Sequence, residues 1–468
     1  MLTERNLIKY SGFIYFGFML IFSIVFAYER IIHSDAAFYL FKLIHFENFN
    51  IEHGRYSAFI SQLFILPFIK MGFSLKSLIY IYSASFIFLF YLVFLILLHG
   101  FKQERLALVL MLVLITGLSH PMYRPVSEST QGLSYSILLA GLLWSHDPRI
   151  TKISRLLPRY FLAIAIILLC FFSHPLTIFS MVFILLFYMV DQGEMKRAFP
   201  WVLLLFIVTI FAVKSLGGSS SGYEQEKIME LTELRNRLSN FGDIYSTRFF
   251  RNKAGNTYLI PLILLLSMNI HYAWKKNWLK LGLLDASCVL FFMVHNIIYT
   301  GGADIELEKN YMTLNFFILL AFVTDLFPEV RGKLRKGLLL TIILFFSAHI
   351  ILKDKNTYIE RIEYYHYLNE QLQAQEHSKF YTTEDQVEEE TILYMWGVPF
   401  ETLLYSSLEG PEFSKTLYPF EESSALPEYI DDPDLFLCVF FWPKWNVNDL
   451  NEDYFRLPEQ KYRYLELE

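Results

Sequence analysis

The stretch Tyr28-Glu29-Arg30-Ile31-Ile32-His33-Ser34-Asp35-Ala36-Ala37-Phe38-Tyr39 follows directly on Ile8–Ala27, an apolar run long enough to cross a bilayer. The hydrocarbon core of a bilayer takes roughly 20 apolar residues per helix. Two carboxylates, a histidine and an arginine therefore stand at the mouth of a hydrophobic helix. The same chemistry continues in Glu52-His53-Gly54-Arg55-Tyr56-Ser57. Ionisable groups at such an edge either anchor the interface or do chemistry. Ile8–Ala27 is too long for the apolar core of a signal peptide and has no small-residue cleavage site, so it reads as a retained anchor.

Working outward, the 468 residues are 54% hydrophobic and 18% aromatic, with a mean hydropathy of +0.36. That excess is arranged in runs, the pattern of an all-α polytopic membrane protein. The candidate spans are Ile8–Ala27, Ser77–Leu98, Leu106–Ser119, Gln131–Trp144, Tyr160–Ser173, Leu176–Val190, Phe199–Leu216, Tyr258–Trp274, Leu281–Thr300, Met312–Phe327 and Gly337–Leu352. The run Tyr56–Met71 holds Gln62, Pro67 and Lys70 and reads either as a span or as a helix on the membrane surface. A net charge of −6 gives no reason to expect nucleic acid as a partner. The three cysteines, Cys170, Cys288 and Cys438, are scattered, which predicts neither a disulfide nor a metal cluster.

Basic residues decide the topology, because short cytoplasmic loops concentrate Lys and Arg. Arg5 and Lys9 put the N-terminus inside. Lys102 with Arg105, Arg149 through Arg159, Lys196 with Arg197, Lys275 with Lys276, and Arg331 through Lys336 all fall inside if Tyr56–Met71 does not cross. That choice gives about eleven transmembrane helices and an external C-terminus. Arg248, Arg251 and Lys253 then lie in an outer loop, but a long one, where the rule is weaker. Residues 1–352 form the membrane domain, with 28–76 as a first external loop carrying surface helices. Residues 353–468 are charged and turn-rich. The apolar runs Thr391–Gly397 and Leu435–Phe441 read there as buried strands of a small α/β extracytoplasmic domain.

Several outer residues are candidates for a site, each with a plainer structural reading. Asp35 is either a helix cap or interfacial anchor, or a general base facing a membrane-embedded cavity. Arg55 and His53 anchor lipid headgroups or hold the phosphate of a lipid-linked ligand, for which the planar arginine fork is suited. Ser119-His120-Pro121 and Ser173-His174-Pro175 end spans, and His120 and His174 either finish helices or line one outer cavity. Arg124 and Glu128 share the loop with His120 and by default pair with each other. Asp304-Ile305-Glu306-Leu307-Glu308-Lys309-Asn310-Tyr311 is a charged entry to a late span. In the loop Gly217–Thr257, Leu231, Leu234 and Leu238 put an amphipathic helix over Glu224–Leu238, a structural cover or a lid. There is no G-x-x-x-x-G-K-[ST] phosphate loop and no H-E-x-x-H zinc helix, which argues against ATP-driven transport and metalloprotease chemistry.

The order of the first loop resembles the GT-C superfamily of polyprenyl-phosphate-sugar-dependent glycosyltransferases. The residues that carry the resemblance are His33-Ser34-Asp35-Ala36-Ala37-Phe38-Tyr39, then Arg55 and Tyr56, an apolar helix ending Lys70-Met71-Gly72, and a span ending His99-Gly100-Phe101-Lys102. The layout matches over roughly Tyr10–Leu352. The resemblance implies that Asp35 helps to activate the acceptor, that the apolar helix lies along the membrane surface, and that Lys309 or Tyr311 faces the donor phosphate. Ala36 stands where the common paired acidic form has a second carboxylate, which leaves a divalent metal open. The expectation is a glycosyltransferase of the inner (plasma) membrane. It would move a sugar from a polyprenyl-phosphate donor to an acceptor at the outer face, among membrane lipids. Two alternatives stay open. One is a non-enzymatic lipid-linked glycan transporter or envelope assembly factor; the other is a polymerase or ligase of surface polysaccharide.

Overall fold

An apolar segment without water can satisfy its backbone N–H and C=O groups only within itself, and so it becomes a helix. The computed structural model describes residues 4–146, 153–216, 234–421, 429–438 and 444–467, and within them the chain is mostly helical. Every candidate span contains a helix, from Glu4–Val25 to Lys333–Lys353. Among the described residues, five helical stretches are long and apolar enough to cross a membrane: Glu4–Val25, Leu75–Gly100, Trp278–Ile298, Asp304–Glu329 and Lys333–Gln373. Shorter apolar helices occupy Leu157–Phe171, Thr177–Asp191, Ala198–Lys214 and Leu259–Trp274. The run Tyr56–Met71 breaks into three short pieces, Tyr56–Ala58, Phe59–Gln62 and Leu66–Lys70. Pro67 starts the last piece, as proline does at a helix N-terminus; none of the three is long enough to cross.

Ion pairs gather the short charged loops at helix ends. Glu4 meets Arg105 at 3.3 Å and also Lys336, and Arg5 meets Glu104 at 3.0 Å. Lys280 bridges Asp191 at 2.6 Å and Asp325 at 2.8 Å, while Lys275 meets Glu329 at 3.0 Å. Loops that the charge pattern assigns to one side therefore lie beside one another.

Two hydrophobic cores result. One fills the helical bundle. The other joins the helix Ser34–Phe46 to the N-terminal half of Leu75–Leu95 and to the C-terminal region. Ser34–Phe46 is apolar almost all round, the pattern of a buried helix. Ala36, Ala37, Leu40, Phe41, Leu43 and Ile44 are fully enclosed. The Phe41 ring lies 5.1 Å from Phe400, 5.5 Å from Phe455 and 5.7 Å from Phe436, so the C-terminal region roofs this helix.

That region begins with Lys355–Gln373, which continues the last long helix. A three-stranded parallel sheet follows, with β1 (Lys379–Thr383) between β2 (Thr416–Phe420) and β5 (Arg463–Tyr464). The helix Val398–Ser406 makes the crossover from β1 to β2 that parallel pairing requires. A two-stranded antiparallel pair joins β3 (Leu435–Leu437) to β4 (Lys444–Asn446). Leu435–Leu437 is a strand as expected, and Thr391–Gly397 is not. The helical turns Glu389–Ile392 and Met395–Gly397 stand in its place. Glu389 and Glu390 favour a helix N-terminus there, where carboxylates complement the backbone dipole.

A buried ion pair joins the roof to the helix beneath. Arg361 Nη2 lies 2.6 Å from Glu401 Oε2, and both side chains are enclosed. Glu401 accepts hydrogen bonds from the Ser34 backbone N–H and the Tyr365 hydroxyl, while Arg361 donates to the Ile32 carbonyl. Removing one partner leaves the other charge buried, at a cost of about 3–5 kcal/mol. Glu401→Gln should lower the thermal midpoint of the purified protein in detergent, and Glu401→Leu, which also removes the acceptor of the Ser34 N–H and the Tyr365 hydroxyl, should lower it further. An unchanged midpoint in Glu401→Gln would remove this pair from the account of stability.

Candidate functional site

Three helices begin at one cleft: Ser34–Phe46, Glu128–Trp144 and Asp304–Ala321. Each carries an acidic residue in its first turn that lines the cleft, namely Asp35, Glu128 and Glu306. Helix N-termini carry partial positive charge, so these carboxylates sit where they are favoured and an anionic ligand would be too. Ser127 caps the second helix by accepting from the Thr130 N–H at 3.2 Å. The cleft is open to solvent, and its basic side chains are Arg55, Arg124 and Lys309.

The ion pairs differ from the default reading, in which Arg124 binds Glu128. Arg124 Nη2 instead holds Asp35 Oδ2 at 2.6 Å, and Arg55 Nη1 holds Glu128 Oε2 at 3.1 Å. Arg124 also donates to the Tyr394 hydroxyl at 2.9 Å, lies over the Tyr394 ring at 4.6 Å, and approaches Glu306 at 3.9 Å. The Tyr39 hydroxyl donates to Glu128 at 3.3 Å, and Lys309 Nζ donates to the Val126 carbonyl at 2.7 Å. The buried Nε of Arg124 has no hydrogen-bond partner.

Position follows from local structure. Asp35 is the second residue of its helix, after Ser34, whose backbone sits at φ 27° in the left-handed region. That strained conformation is held by the bond from the Ser34 N–H to Glu401. Gly397 packs so tightly here that an added Cβ would lie 3.1 Å from Ser34 Cα. Arg55 emerges from a turn closed by its N–H on the Glu52 carbonyl at 2.9 Å.

Burial would raise the Asp35 pKa, but Arg124, then Lys309 and Arg55, outweigh it and hold the carboxyl below its ordinary value. Burial lowers Arg124, and Asp35 more than reverses this, so the guanidinium is held charged more firmly than usual. His174 is pushed well below the usual histidine range by burial and then by the Arg55 cation. Its Nδ1 accepts from the Leu176 N–H at 3.2 Å, which leaves the proton of the neutral ring on Nε2.

Of the nine candidates named from sequence, six line the cleft: Asp35, Arg55, Arg124, Glu128, His174 and Lys309. The other three do not. His53 sits in the turn before Arg55. His120 turns to Tyr358 at 3.1 Å and Asp354 at 3.7 Å. The Tyr311 hydroxyl lies between two acceptors, Asn296 Oδ1 at 2.7 Å and the Ser246 carbonyl at 3.0 Å. Helix geometry explains the last case, because residues two apart point about 200° away from each other, so Lys309 and Tyr311 cannot share the cleft. Glu306, three residues before Lys309, does share it. Sequence reasoning missed Glu306, Tyr299, Asn310 and Tyr394. The i, i+3 spacing would have found Glu306; nothing local marks Tyr394, which comes from the distant roof. The expected amphipathic helix Glu224–Leu238 falls largely outside the described residues. No three His, Cys, Asp or Glu side chains among the described residues are placed to hold a metal ion.

Compared with known protein families, curated proteins and solved structures, the chain matches none of them.

Because the folded Asp35 pKa is depressed, its ionisation stabilises the fold fully above the ordinary value of 3.8, and that contribution is lost as pH falls through the lower folded value. Thermal midpoints measured between about pH 2 and pH 6 should therefore fall more steeply on the acid side for the wild type than for Asp35→Asn. Parallel curves would show that Asp35 is not ionised by its neighbours.

Proposed function

We propose that this chain is a membrane glycosyltransferase of GT-C type that uses a polyprenyl-phosphate-linked sugar at the outer face of the plasma membrane. The arrangement proposed has about eleven spans, an inner N-terminus and an outer C-terminal region. The observation that carries the reading is the convergence of three helix N-termini, three cations and Asp35 on one open cleft. Phosphate groups favour helix N-termini and arginine forks. A transferase also needs a carboxylate beside them to take a proton.

In the proposed reaction the acceptor hydroxyl attacks the anomeric carbon and gives its proton to Asp35. The bond from that carbon to the phosphate oxygen breaks, and its electron pair leaves on the polyprenyl phosphate. Arg55 and Lys309 stabilise the charge developing there, because fixed cations in a water-poor site need little reorganisation. General-base catalysis is worth about 10²–10⁴-fold.

Transfer of labelled sugar from a panel of polyprenyl-phosphate donors, by purified protein in native-like membranes, tests this. Asp35→Asn should lower the turnover number by about 10²–10⁴-fold, with the protein still folded. Full activity in the variant would exclude Asp35 as the base. One observation favours the non-enzymatic alternative: the cleft carboxylates Asp35, Glu128 and Glu306 all face arginines already, as a purely structural network would. Absence of transfer from every donor by folded wild type would select that reading.

A further inference from the structure

A buried charge is costly unless an opposite charge comes with it. Arg30 is 1% exposed and stands just beyond the first apolar run, bonded to the helix Leu75–Leu95. Its Nε donates to Ser83 Oγ at 2.8 Å, its Nη2 to the Ser83 carbonyl at 3.3 Å, and its Nη1 to the Met122 carbonyl. All these partners are neutral, and among the described residues no carboxylate lies within ion-pair distance. Burial pulls the Arg30 guanidinium down to about 9, so it is still charged at neutral pH. A guanidinium carries five N–H donors, and these bonds use three of them.

Arg30 lines a small cavity that admits a group little larger than a water molecule. The other polar side chains of its wall are Tyr15, Arg124, Ser127 and Thr130, and each bears a hydrogen-bond donor. No carboxylate lines it; the rest of the wall is apolar. Arg124 is 2% exposed, and its buried Nε has no hydrogen-bond partner. Two guanidinium groups and hydroxyls, with no acid among them, select an anion. The size excludes phosphate and other polyatomic oxyanions. The apolar wall also disfavours the smallest halide, because the cost of leaving water grows as an ion shrinks.

We propose that this cavity is a halide site that takes chloride, held by Arg30 and bounded by Arg124. The ion supplies the counter-charge that the neutral partners of Arg30 do not. The site gives Arg30 a role outside the reaction scheme, and it does not depend on the transferase reading.

The test reads the ion and needs no transfer assay. Full-length protein in nanodiscs is unfolded thermally as sodium chloride replaces sodium gluconate at constant ionic strength. Chloride should raise the thermal midpoint with saturation, by about 2 °C. Bromide should do the same, and fluoride should not. Arg30→Met should abolish the rise, whereas Arg331→Met, at an exposed arginine, should keep it. Bromide soaked into crystals of the wild type should give an anomalous peak in contact with Arg30, a readout that stands even if Arg30→Met fails to fold. Four results would each overturn the site: no saturable rise with chloride in the wild type, an equal rise with fluoride, the same rise in folded Arg30→Met, or no bromide peak at Arg30.

Discussion

The geometry of the cleft depends on the buried contact between Arg361 and Glu401. Neither residue lines the cleft. Together they grip the backbone on both sides of His33, Arg361 through the Ile32 carbonyl and Glu401 through the Ser34 N–H. That grip fixes where the helix Ser34–Phe46 starts, and hence where Asp35 points. A carboxylate one residue inside a helix has few rotamers and a fixed origin, so anchoring Ser34 anchors the acid. The roof over this helix is thus part of the cleft's support, and it also supplies Tyr394 to Arg124.

The helices were legible because a membrane-like pattern leaves little choice: each long apolar run has to satisfy its own backbone. The cleft was legible in part for a related reason. Charged residues at the ends of apolar helices have few places to go: Asp35, Arg55, Arg124, Glu128 and His174 end helices or adjoin their ends, and Lys309 lies in the second turn of its helix. The pairing was not legible. Arg124 and Glu128 are four apart in sequence, but Ser127 caps a helix between them, so they are not on one helix face and each finds a partner from the segment 28–76. Thr391–Gly397 misled for the usual reason that a short apolar run fits a strand or a helical turn equally well. His120 misled because Glu308 accepts from its backbone N–H and so draws the segment away from the cleft.

Charge balance is the second theme of the site. Asp35 and Glu128 are paired with Arg124 and Arg55, and Glu306 approaches Arg124, so the carboxylates of the cleft offset its arginines. Pairing offsets part of the cost of burying these charges, whereas the arginines without the carboxylates would repel one another and demand counter-ions. Arg30 stands apart from this balance, with hydroxyl and carbonyl partners alone among the described residues.

Balance also couples binding to basicity. Asp35 is held below its ordinary pKa against its own burial, chiefly by Arg124. In that state it is ionised but a weak base, since proton transfer is most effective when the base is matched to the working pH. An anion that enters the cleft competes with Asp35 for the same guanidinium. As Arg124 turns toward the anion, the burial of Asp35 is offset less, by Lys309 and Arg55 alone, and its affinity for a proton rises. A carboxylate that is quiet when the cleft is empty would thus gain basicity when a phosphate arrives, without any movement of the helices. The Nε of Arg124, buried and without a hydrogen-bond partner, offers a donor to such a ligand before the bond to Asp35 is given up.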